Sequence, residues 1–396
     1  MRILFLSTTY PTPTRPRQGA FNQVLVNSLR HSNEVQVVAP IPWTQWHEVR
    51  SPSALDELTH HPIYFYPPKI LRSHYATLYW QSIRRTIQRA SRSFKPDVVL
   101  GYFLHPDGSA ANRAARYLGV PSVVMSGGTD LRILTKTASR KAKIQETLGQ
   151  AERLIVVSRE LAVRAESLGV HQSKIDVVYR GIDRNCFQPM QQACARRKCQ
   201  ITENAVVVLW VGRLEEVKNP ALLLAAAVRW KQQWNRRLQV KMIGDGSLRR
   251  QLIQRSQQLG LQDVLEILPS MNQRQLASYY NAANAIVLTS RSEGIPNVLL
   301  ESIACNTPFV ATDVGGVAEI AWPGIDYLVP SEDADSLAAA VIACVQQPST
   351  VEQPTTQPRT FLPYDNMSMA AAVERALQRA ILSRQTAIEV MTADAA

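Results

Sequence analysis

Two glutamates eight positions apart, Glu293 and Glu301, stand in a stretch that reads AIVLTSRSEGIPNVLLESIACNTPFVATDVGGVAEI, residues 285–320. A carboxylate repels phosphate but accepts hydrogen bonds from pairs of sugar hydroxyls, so two of them suit a ligand with polyols at both ends. What lies between them suits a diphosphate. The apolar run AIVLTS has the character of a buried parallel strand, which places Glu293 at a strand's carboxyl end. Gly294 lets the chain turn close to a ligand, and Ile295 leads to Pro296, a residue suited to the first turn of a helix. Asn297 and Val298 would open that helix, with Leu299, Leu300 and Ile303 continuing its apolar face and Glu301 about one and a half turns in. Free amides at a helix start carry about half a positive charge and cradle phosphate oxygens. The plainer alternative is that Glu293 only caps the helix electrostatically and Glu301 lies on its wet face.

Cations that could meet the same diphosphate follow another strand. AVVVLWVG ends at Gly212, Arg213 comes next, and Lys218 precedes a helix expected to start near Pro220. QVKMIGDGSL closes a further strand on Gly244, Asp245 and Gly246, and PFVATD runs into Gly315. Gly212, Gly244, Glu293 and Gly315 are therefore expected to end strands of one sheet, where open α/β sheets place their chemistry.

The first half repeats this rhythm with different residues. RILFLS is a strand, followed by a loop with Arg15, Arg17, Gly19 and Asn22 and then a helix from about Phe21. The loop lacks G-x-G-x-x-G, so no dinucleotide cofactor is expected. PDVVLGYF ends in HPDG, with His105 and Asp107, and PSVVMS ends in GGTDL, with Gly127, Gly128 and Asp130. Asp130 could equally cap a helix starting near Leu131. Residues 41–92 gather Trp43, Trp46, Tyr64, Tyr66, Tyr75, Tyr79 and Trp80 with Arg72, Arg84, Arg85, Arg89 and Arg92. That mixture suits a membrane interface, a carbohydrate acceptor or an ordinary insertion with its own small core. Arg132, Lys136, Arg140, Lys141 and Lys143 form a basic run that is either a solvated helix face or a patch for anionic lipid.

Size and charge narrow the class. With 396 residues, 45% of them hydrophobic, the chain suits two ordinary domains. Residues 1–200 hold 28 Lys and Arg against 13 Asp and Glu, the remainder 16 against 19, so the whole net charge of +12 comes from the first half. An anionic surface or partner for that half is expected. The opening residues turn polar too early for a signal peptide and no run reaches the ~20 apolar residues of a membrane span, so a cytoplasmic protein is expected, peripheral on the inner membrane face if the basic half docks there. Five cysteines without a secretion signal read as free thiols. Cys186, Cys194 and Cys199 cluster without the tight pairs of a zinc site, and no acidic metal-binding cluster is seen, so no metal and no cofactor are expected.

The pattern E-G-x-P, four residues, then E, with PFVATD and GGVAEI after it, resembles the nucleotide-sugar site of retaining glycosyltransferases of family 4 (glycosyltransferase group 1). The resemblance covers most of residues 1–340 except 41–92. It implies the GT-B fold: α/β, with two doubly wound Rossmann-like domains facing each other across a cleft. Residues 1–186 would bind the acceptor, 187–204 would be a linker, 205–350 would bind the donor, and a helix at about 365–385 would return to the first domain. It implies that Glu293 faces the transferred sugar, Glu301 holds the ribose, Arg213 and Lys218 meet the diphosphate, and the Gly19 loop approaches the donor diphosphate or the acceptor. HPDG and GGTDL are similar to the acceptor half of enzymes of the teichuronic and colanic acid type, leaving His105, Asp107, Gly127, Gly128, Asp130 and Arg180 as acceptor-side candidates, with Asp130 also counted as catalytic. Three departures stand out: Cys305-Asn306 for the usual Cys-Gly, Gly127 for a usual histidine, and Arg180-Gly181 for a usual Asn-Gly. The expected partners are a nucleotide sugar, a glycan or lipid-linked acceptor and an anionic membrane, with no nucleic acid. A nucleotide-sugar epimerase, a nucleic-acid binder and a catalytically silent scaffold are the rival readings.

Overall fold

The computed structural model describes residues 1–12, 15, 18–50, 58–67, 75–234, 237–347 and 364–393. Arg17, Arg72 and most of the Gln-, Pro- and Thr-rich stretch 346–358 lie outside the described residues. Two compact units divide the chain: Met1–Gly181 with Asn366–Ala396, and Ile182–Asp365.

The first unit runs β1 (Arg2–Leu6), α1 (Ala20–Leu29), β2 (Glu34–Val38), β3 (Ile41–Pro42), β4 (Thr59–His60), β5 (Ile63–Tyr64), α2 (Tyr75–Phe94), β6 (Val98–Tyr102), α3 (Ser109–Leu118), β7 (Ser122–Ser126), α4 (Thr129–Arg132), α5 (Ala138–Gln150), β8 (Arg153–Val156), α6 (Arg159–Ser167) and β9 (Ile175–Val177). Seven of these strands form one sheet in the order β4-β2-β1-β6-β7-β8-β9, and every pair is parallel. Such a sheet is covered on both faces, and the two-residue period of the strands divides its side chains between them. Ile3, Phe5, Val35, Val37, Val98 and Leu100 enter the core under α1, while Leu4, Leu6, Val38 and Val99 enter the core under α2 and α3. The small face of α3 allows it close to the sheet: a Cβ on Gly101 would lie 2.7 Å from the Ala111 methyl.

The second unit runs α7 (Gln192–Lys198), β10 (Val206–Val211), α8 (Pro220–Gln233), β11 (Leu238–Ile243), α9 (Arg249–Gln258), β12 (Leu265–Leu268), α10 (Gln273–Ala282), β13 (Ala285–Leu288), α11 (Asn297–Ala304), β14 (Phe309–Thr312), β15 (Tyr327–Val329) and α12 (Ala334–Gln346). Its six strands are all parallel in the order β12-β11-β10-β13-β14-β15. From β10 the chain builds outward to β12, then returns to β13 on β10's other side, so the direction of winding reverses between β10 and β13. This switch point leaves a crevice at the strands' carboxyl ends.

Residues 187–204, expected as an irregular linker, contain α7. Its Arg196, buried, donates to the carbonyl of Ala282 at 3.2 Å and to Asn284 Oδ1 at 2.9 Å, tying the helix to the end of α10. The Gln, Arg and Cys composition hid it because a helix this short shows too few turns for a periodic pattern. The last helix, α13 (Asn366–Ala393), is longer than the expected 365–385 and belongs to the first unit, where Val373, Ala376, Leu377 and Ala380 repeat at helical spacing in the core beside α1. Arg384 donates to Glu152 Oε1 at 2.9 Å, and Arg379 pairs with Asp176.

Candidate active site

In the second unit the loops after β10 and β13 meet at the switch point. The loop after β10 carries Gly212 and Arg213, tightens into a turn over Glu216–Lys218, and passes through Asn219 at φ 45° to Pro220, the first residue of α8. A chain of hydrogen bonds sets this loop against β13: Trp210 Nε1 donates to Thr289 Oγ1 at 2.9 Å, and Thr289 Oγ1 donates to the Lys218 carbonyl at 2.8 Å. Arg291 adds a second tie, its amide donating to Val217 O at 2.8 Å and its guanidinium to the Glu216 carbonyl at 2.9 Å and Glu332 Oε1 at 2.5 Å. Lys218 is thereby delivered to Glu293: Nζ donates to Oε1 at 2.5 Å, with Glu293 buried. Arg213 is exposed, and its side chain makes no hydrogen bond or ion pair among the described residues.

Glu293 leads through Gly294, whose carbonyl accepts from Gly316 N at 3.0 Å, and Ile295 to Pro296, the N-cap of α11. Pro296 has no side chain to cap the helix and no acidic residue stands in its first turn, so the amides of Asn297 and Val298 have no acceptor among the described residues. This is the vacant, positively polarised helix end that an anion fills. Asn306 ends the helix region at φ 56°, the left-handed backbone that asparagine tolerates where the pattern usually has glycine.

Glu301 lies in α11 against α10. Tyr280 Oη donates to its Oε2 at 2.7 Å, and burial pushes the carboxyl up to about 7. The phenol of Tyr280 is itself raised well above its usual value, by burial and then by Glu301. The Cys186 thiol, raised by burial, Asp183 and Glu301, lines an open cleft of ≈ 530 Å³ with Asp183, Asn272, Gln273, Arg274 and Ser278. At the neighbouring strand end Gly244 is pressed against the loop after β10, where a Cβ would lie 1.8 Å from Gly212 O. A Cβ on Gly246 would lie 2.4 Å from Leu214 O. Asp245 Oδ2 accepts from Ser270 N and Oγ, both at 2.9 Å, which makes it a brace between the loops after β11 and β12. Thus Gly212, Lys218, Gly244, Glu293 and Gly294 are brought together at one sheet edge, whereas Asp245 is occupied within the protein. Sequence reasoning missed Tyr280, Thr289, Arg291 and Arg274, because each acquires its place only through packing between elements remote in sequence.

At the carboxyl edge of the first unit's sheet, Gly19 starts α1 at φ 68° where a Cβ would lie 2.3 Å from Thr9 O. The acidic candidates sit differently from expectation. Asp107 is fully buried and accepts from Thr8 N at 2.9 Å, Thr8 Oγ1 at 2.8 Å and Tyr79 Oη at 2.7 Å. Burial pushes it up to about 7 in spite of those bonds. Asp130 does not cap a helix at Leu131 but sits inside α4, fully buried, accepting from Leu104 N at 2.9 Å, from Leu131 N at 3.0 Å and from Ser126 Oγ. As placed, both hold loops rather than face solvent, because a carboxylate that buries beside strand-end amides satisfies them. His105 is pushed down to about 4 by burial and then by Lys143 and Arg140, and its buried Nδ1 has no partner among the described residues. Gly128, at φ 116°, donates its amide to Ser126 Oγ at 3.2 Å. Arg180 reaches Gly127: its Nη2 donates to Tyr102 Oη at 2.7 Å, and a Cβ on Gly127 would lie 2.2 Å from that oxygen and 2.9 Å from Arg180 Nη2. Among the described residues no group of three or more His, Cys, Asp or Glu is placed to hold a metal ion, and no helix is long and apolar enough to cross a membrane.

Two all-parallel α/β units, the second with paired carboxylates and a vacant helix end at its switch point, define the GT-B class of sugar-nucleotide enzymes. Comparison with known proteins carries this further. The description "Glycosyl transferases group 1" matches residues 192–359, and "Glycosyltransferase Family 4" matches residues 22–185. A D-inositol 3-phosphate glycosyltransferase of Frankia alni is 30% identical over 276 residues, covering 63% of this chain and 68% of that protein. The chain belongs to the glycosyltransferase group 1 family. It is also similar to TuaC of Bacillus subtilis, named as a teichuronic acid biosynthesis glycosyltransferase, at 25% identity over 86% of this chain and 88% of TuaC. The matches to the D-inositol 3-phosphate glycosyltransferases of Kribbella flavida and Geodermatophilus obscurus, at 34% and 35% identity, span only about half of those relatives' length, 51% and 46%. Among solved structures, sucrose-phosphate synthase of Thermosynechococcus elongatus superposes with a TM-score of 0.71 at 18% identity, covering 99% of each chain. HepE of Anabaena in complex with UDP gives 0.68 at 17% identity, covering 99% of this chain and 100% of HepE. At these identities the likeness is one of fold.

Proposed function

We propose that the chain is a retaining glycosyltransferase that moves a sugar from a nucleoside diphosphate to an acceptor hydroxyl during synthesis of a cell-envelope polysaccharide or glycolipid. The observation that carries this reading is the Lys218–Glu293 pair beside the vacant start of α11, with Glu301 held under Tyr280 in the same helix. An anion fits between the two carboxylates, and hydroxyl groups fit at each. On donor binding Lys218 exchanges Glu293 for the diphosphate, and Glu293 is released to the hydroxyls of the transferred sugar. Glu301 accepts from the ribose hydroxyls. As the bond between the sugar's anomeric carbon and the phosphate oxygen breaks, its electron pair leaves with the diphosphate. Lys218, Arg213 and the amides of Asn297 and Val298 then stabilise the growing charge from positions already set. The acceptor oxygen bonds to the same face of the carbon, and its proton passes to the leaving phosphate oxygen, so no metal and no cofactor is required.

Structures of similar fold are described as bound to UDP, to UDP-glucose and, for a starch synthase of Arabidopsis, to ADP, so the fold leaves the base open. A panel of nucleotide sugars screened for stabilisation of the full chain, followed by diphosphate release with lipid or glycan acceptors, tests the reading. Retention is read from the anomeric configuration of the product by NMR. Consumption of donor without acceptor would favour an epimerase instead. Peripheral contact with an anionic membrane belongs to the same proposal: Arg84, Arg85, Arg89 and Arg92 of α2 are exposed without ion pairs among the described residues, and β5, which packs on α2, leads to the exposed Phe65, whose ring lies tilted 5.7 Å from that of Trp43. Absence of binding to phosphatidylserine vesicles at low salt would remove that element alone.

A further inference from the structure

Two of the departures from the family pattern, Gly127 and Arg180, lie far apart in sequence and touch in the structure. Gly127 follows β7 and Arg180 follows β9, and the space a side chain at 127 would fill is taken by the Tyr102 hydroxyl and the Arg180 guanidinium. Three contacts hold the arginine there. Its Nη2 donates to Tyr102 Oη at 2.7 Å, its guanidinium carbon lies 4.2 Å over the ring of Phe21, and the next amide, Gly181 N, donates to Met369 Sδ at 3.2 Å. Phe21 in turn packs 5.2 Å from the Tyr102 ring. None of these partners is acidic. Among the described residues no carboxylate pairs with Arg180, and its Nε and Nη1 make no hydrogen bond. The carboxylate of Asp130, which acts on Tyr102 through space, has both oxygens occupied by Leu104, Leu131 and Ser126. Tyr102 accepts from Arg180, and its own hydroxyl proton is uncommitted among the described residues. A half-buried guanidinium with a free edge, beside a buried hydroxyl donor, is a site for an oxyanion.

We propose that Arg180, seated by Gly127, Tyr102 and Phe21, is a specificity-determining residue that selects an acceptor carrying an oxyanion, a carboxylate or a phosphate, on the sugar bound by the first unit. This rests on the glycosyltransferase reading above. Glycine at 127 is what admits the larger cation, so the two departures act as one change.

The test uses the full chain saturated with whichever nucleoside diphosphate it binds, titrated with glucose, glucuronate and glucose 6-phosphate. Glucuronate and the phosphate ester distinguish the two oxyanions. The expected result is binding of at least one acidic probe about tenfold tighter than glucose, the worth of one charge-assisted pair of bonds. Arg180→Asn should abolish the preference and Arg180→Lys retain part of it. Gly127→Ala, which keeps the arginine but fills its seat, should also lose it. The double change Gly127→His with Arg180→Asn should favour the neutral sugar. The ratio of acidic to neutral binding is unmoved by a general loss of stability. Equal binding of acidic and neutral probes by the wild type, no response to any probe, or an acidic preference that survives Arg180→Asn would each overturn the proposal. Failure to bind any nucleoside diphosphate would instead strike the glycosyltransferase reading, since that is measured before any probe is added.

Discussion

If Glu301 accepts hydrogen bonds from ribose, it must do so as a carboxylate, yet in the free protein burial holds its titration at about 7. Binding of a nucleotide sugar should therefore expel a proton. With titration at that point, roughly a tenth of the carboxyl is ionised at pH 6 and about nine-tenths at pH 8, so donor affinity should rise about tenfold across this range, or ~1.4 kcal/mol. Calorimetry in two buffers of different ionisation enthalpy should show close to ~0.9 proton released per donor at pH 6 and ~0.1 at pH 8. A nucleotide sugar has no proton of its own in this window, so the effect belongs to the protein. Glu301→Gln keeps the shape and an acceptor for Tyr280 but cannot titrate, and its weaker affinity should be flat with pH. The same shift acts on stability. The folded carboxyl titrates above its ordinary value of 4.5, so between 4.5 and about 7 the folded state holds more protons than the unfolded one. Stability must then fall as pH rises through that window, by at most ~3 kcal/mol, and remain lowered above it. Glu301→Gln without ligand should melt higher than wild type at pH 8 and no higher at pH 4.5. Donor affinity that is level from pH 6 to 8, with no buffer-dependent heat, would refute the assignment of Glu301 to the ribose.

Glu293→Gln removes the carboxylate that holds Lys218 at 2.5 Å, so binding of the nucleoside diphosphate alone should tighten by about tenfold while sugar transfer falls; weaker diphosphate binding would place Lys218 elsewhere. Arg213→Ala removes an exposed cation without internal partners and should lower kcat with little change in melting temperature. Asp107→Ala strands the Thr8 amide and hydroxyl and the Tyr79 hydroxyl, so denaturant unfolding should show a loss of about 2–4 kcal/mol, most of it recovered in Asp107→Asn. His105 is held below its usual range at about 4, so the folded state binds fewer protons than the unfolded one between there and 6.5. Stability should fall on acidification through that window, and His105→Gln should remove part of the slope.

The strand-end residues of the second unit were legible because each has a local signature. An apolar run, then Glu-Gly-x-Pro, then an amphipathic helix orders Glu293 and Glu301 along the chain without knowledge of any distant contact; β10 and β11 run directly into Gly212 and Gly244, whereas Glu293 lies in the loop five residues past β13 and Gly315 in the loop three residues past β14. What could not be read is what those residues touch. Lys218 and Glu293 attract one another across 75 positions, Tyr280 reaches Glu301 from the preceding helix, and Trp210 reaches Thr289 across the sheet. Residues 41–92 resisted reading for another reason: β3, β4 and β5 have two residues each, too short for an alternating pattern, and among the described residues there α2 alone carries enough α-helical turns to show a face.

The acids of the two units differ in a way that composition alone hides. Asp107, Asp130 and Glu293 stand in the loops or short turns behind strands of a parallel sheet and are buried, and Glu301, half-buried, stands in the helix that follows one of them. Their partners separate them. Asp107 and Asp130 each accept from at least one backbone amide, and stranding a buried amide costs about 1–3 kcal/mol, so those bonds fix both carboxylates in place. Glu293 and Glu301 are engaged by side chains only, the Lys218 ammonium and the Tyr280 hydroxyl. Those groups can turn to a phosphate or a water when a ligand arrives. A carboxylate at a strand's end is thus a brace when amides hold it and a binding group when only movable side chains do. By that criterion Asp107 and Asp130 act as braces as placed, and the first unit's candidates that keep polar atoms without partners among the described residues include the cation Arg180, the Tyr102 hydroxyl proton and the ring of His105.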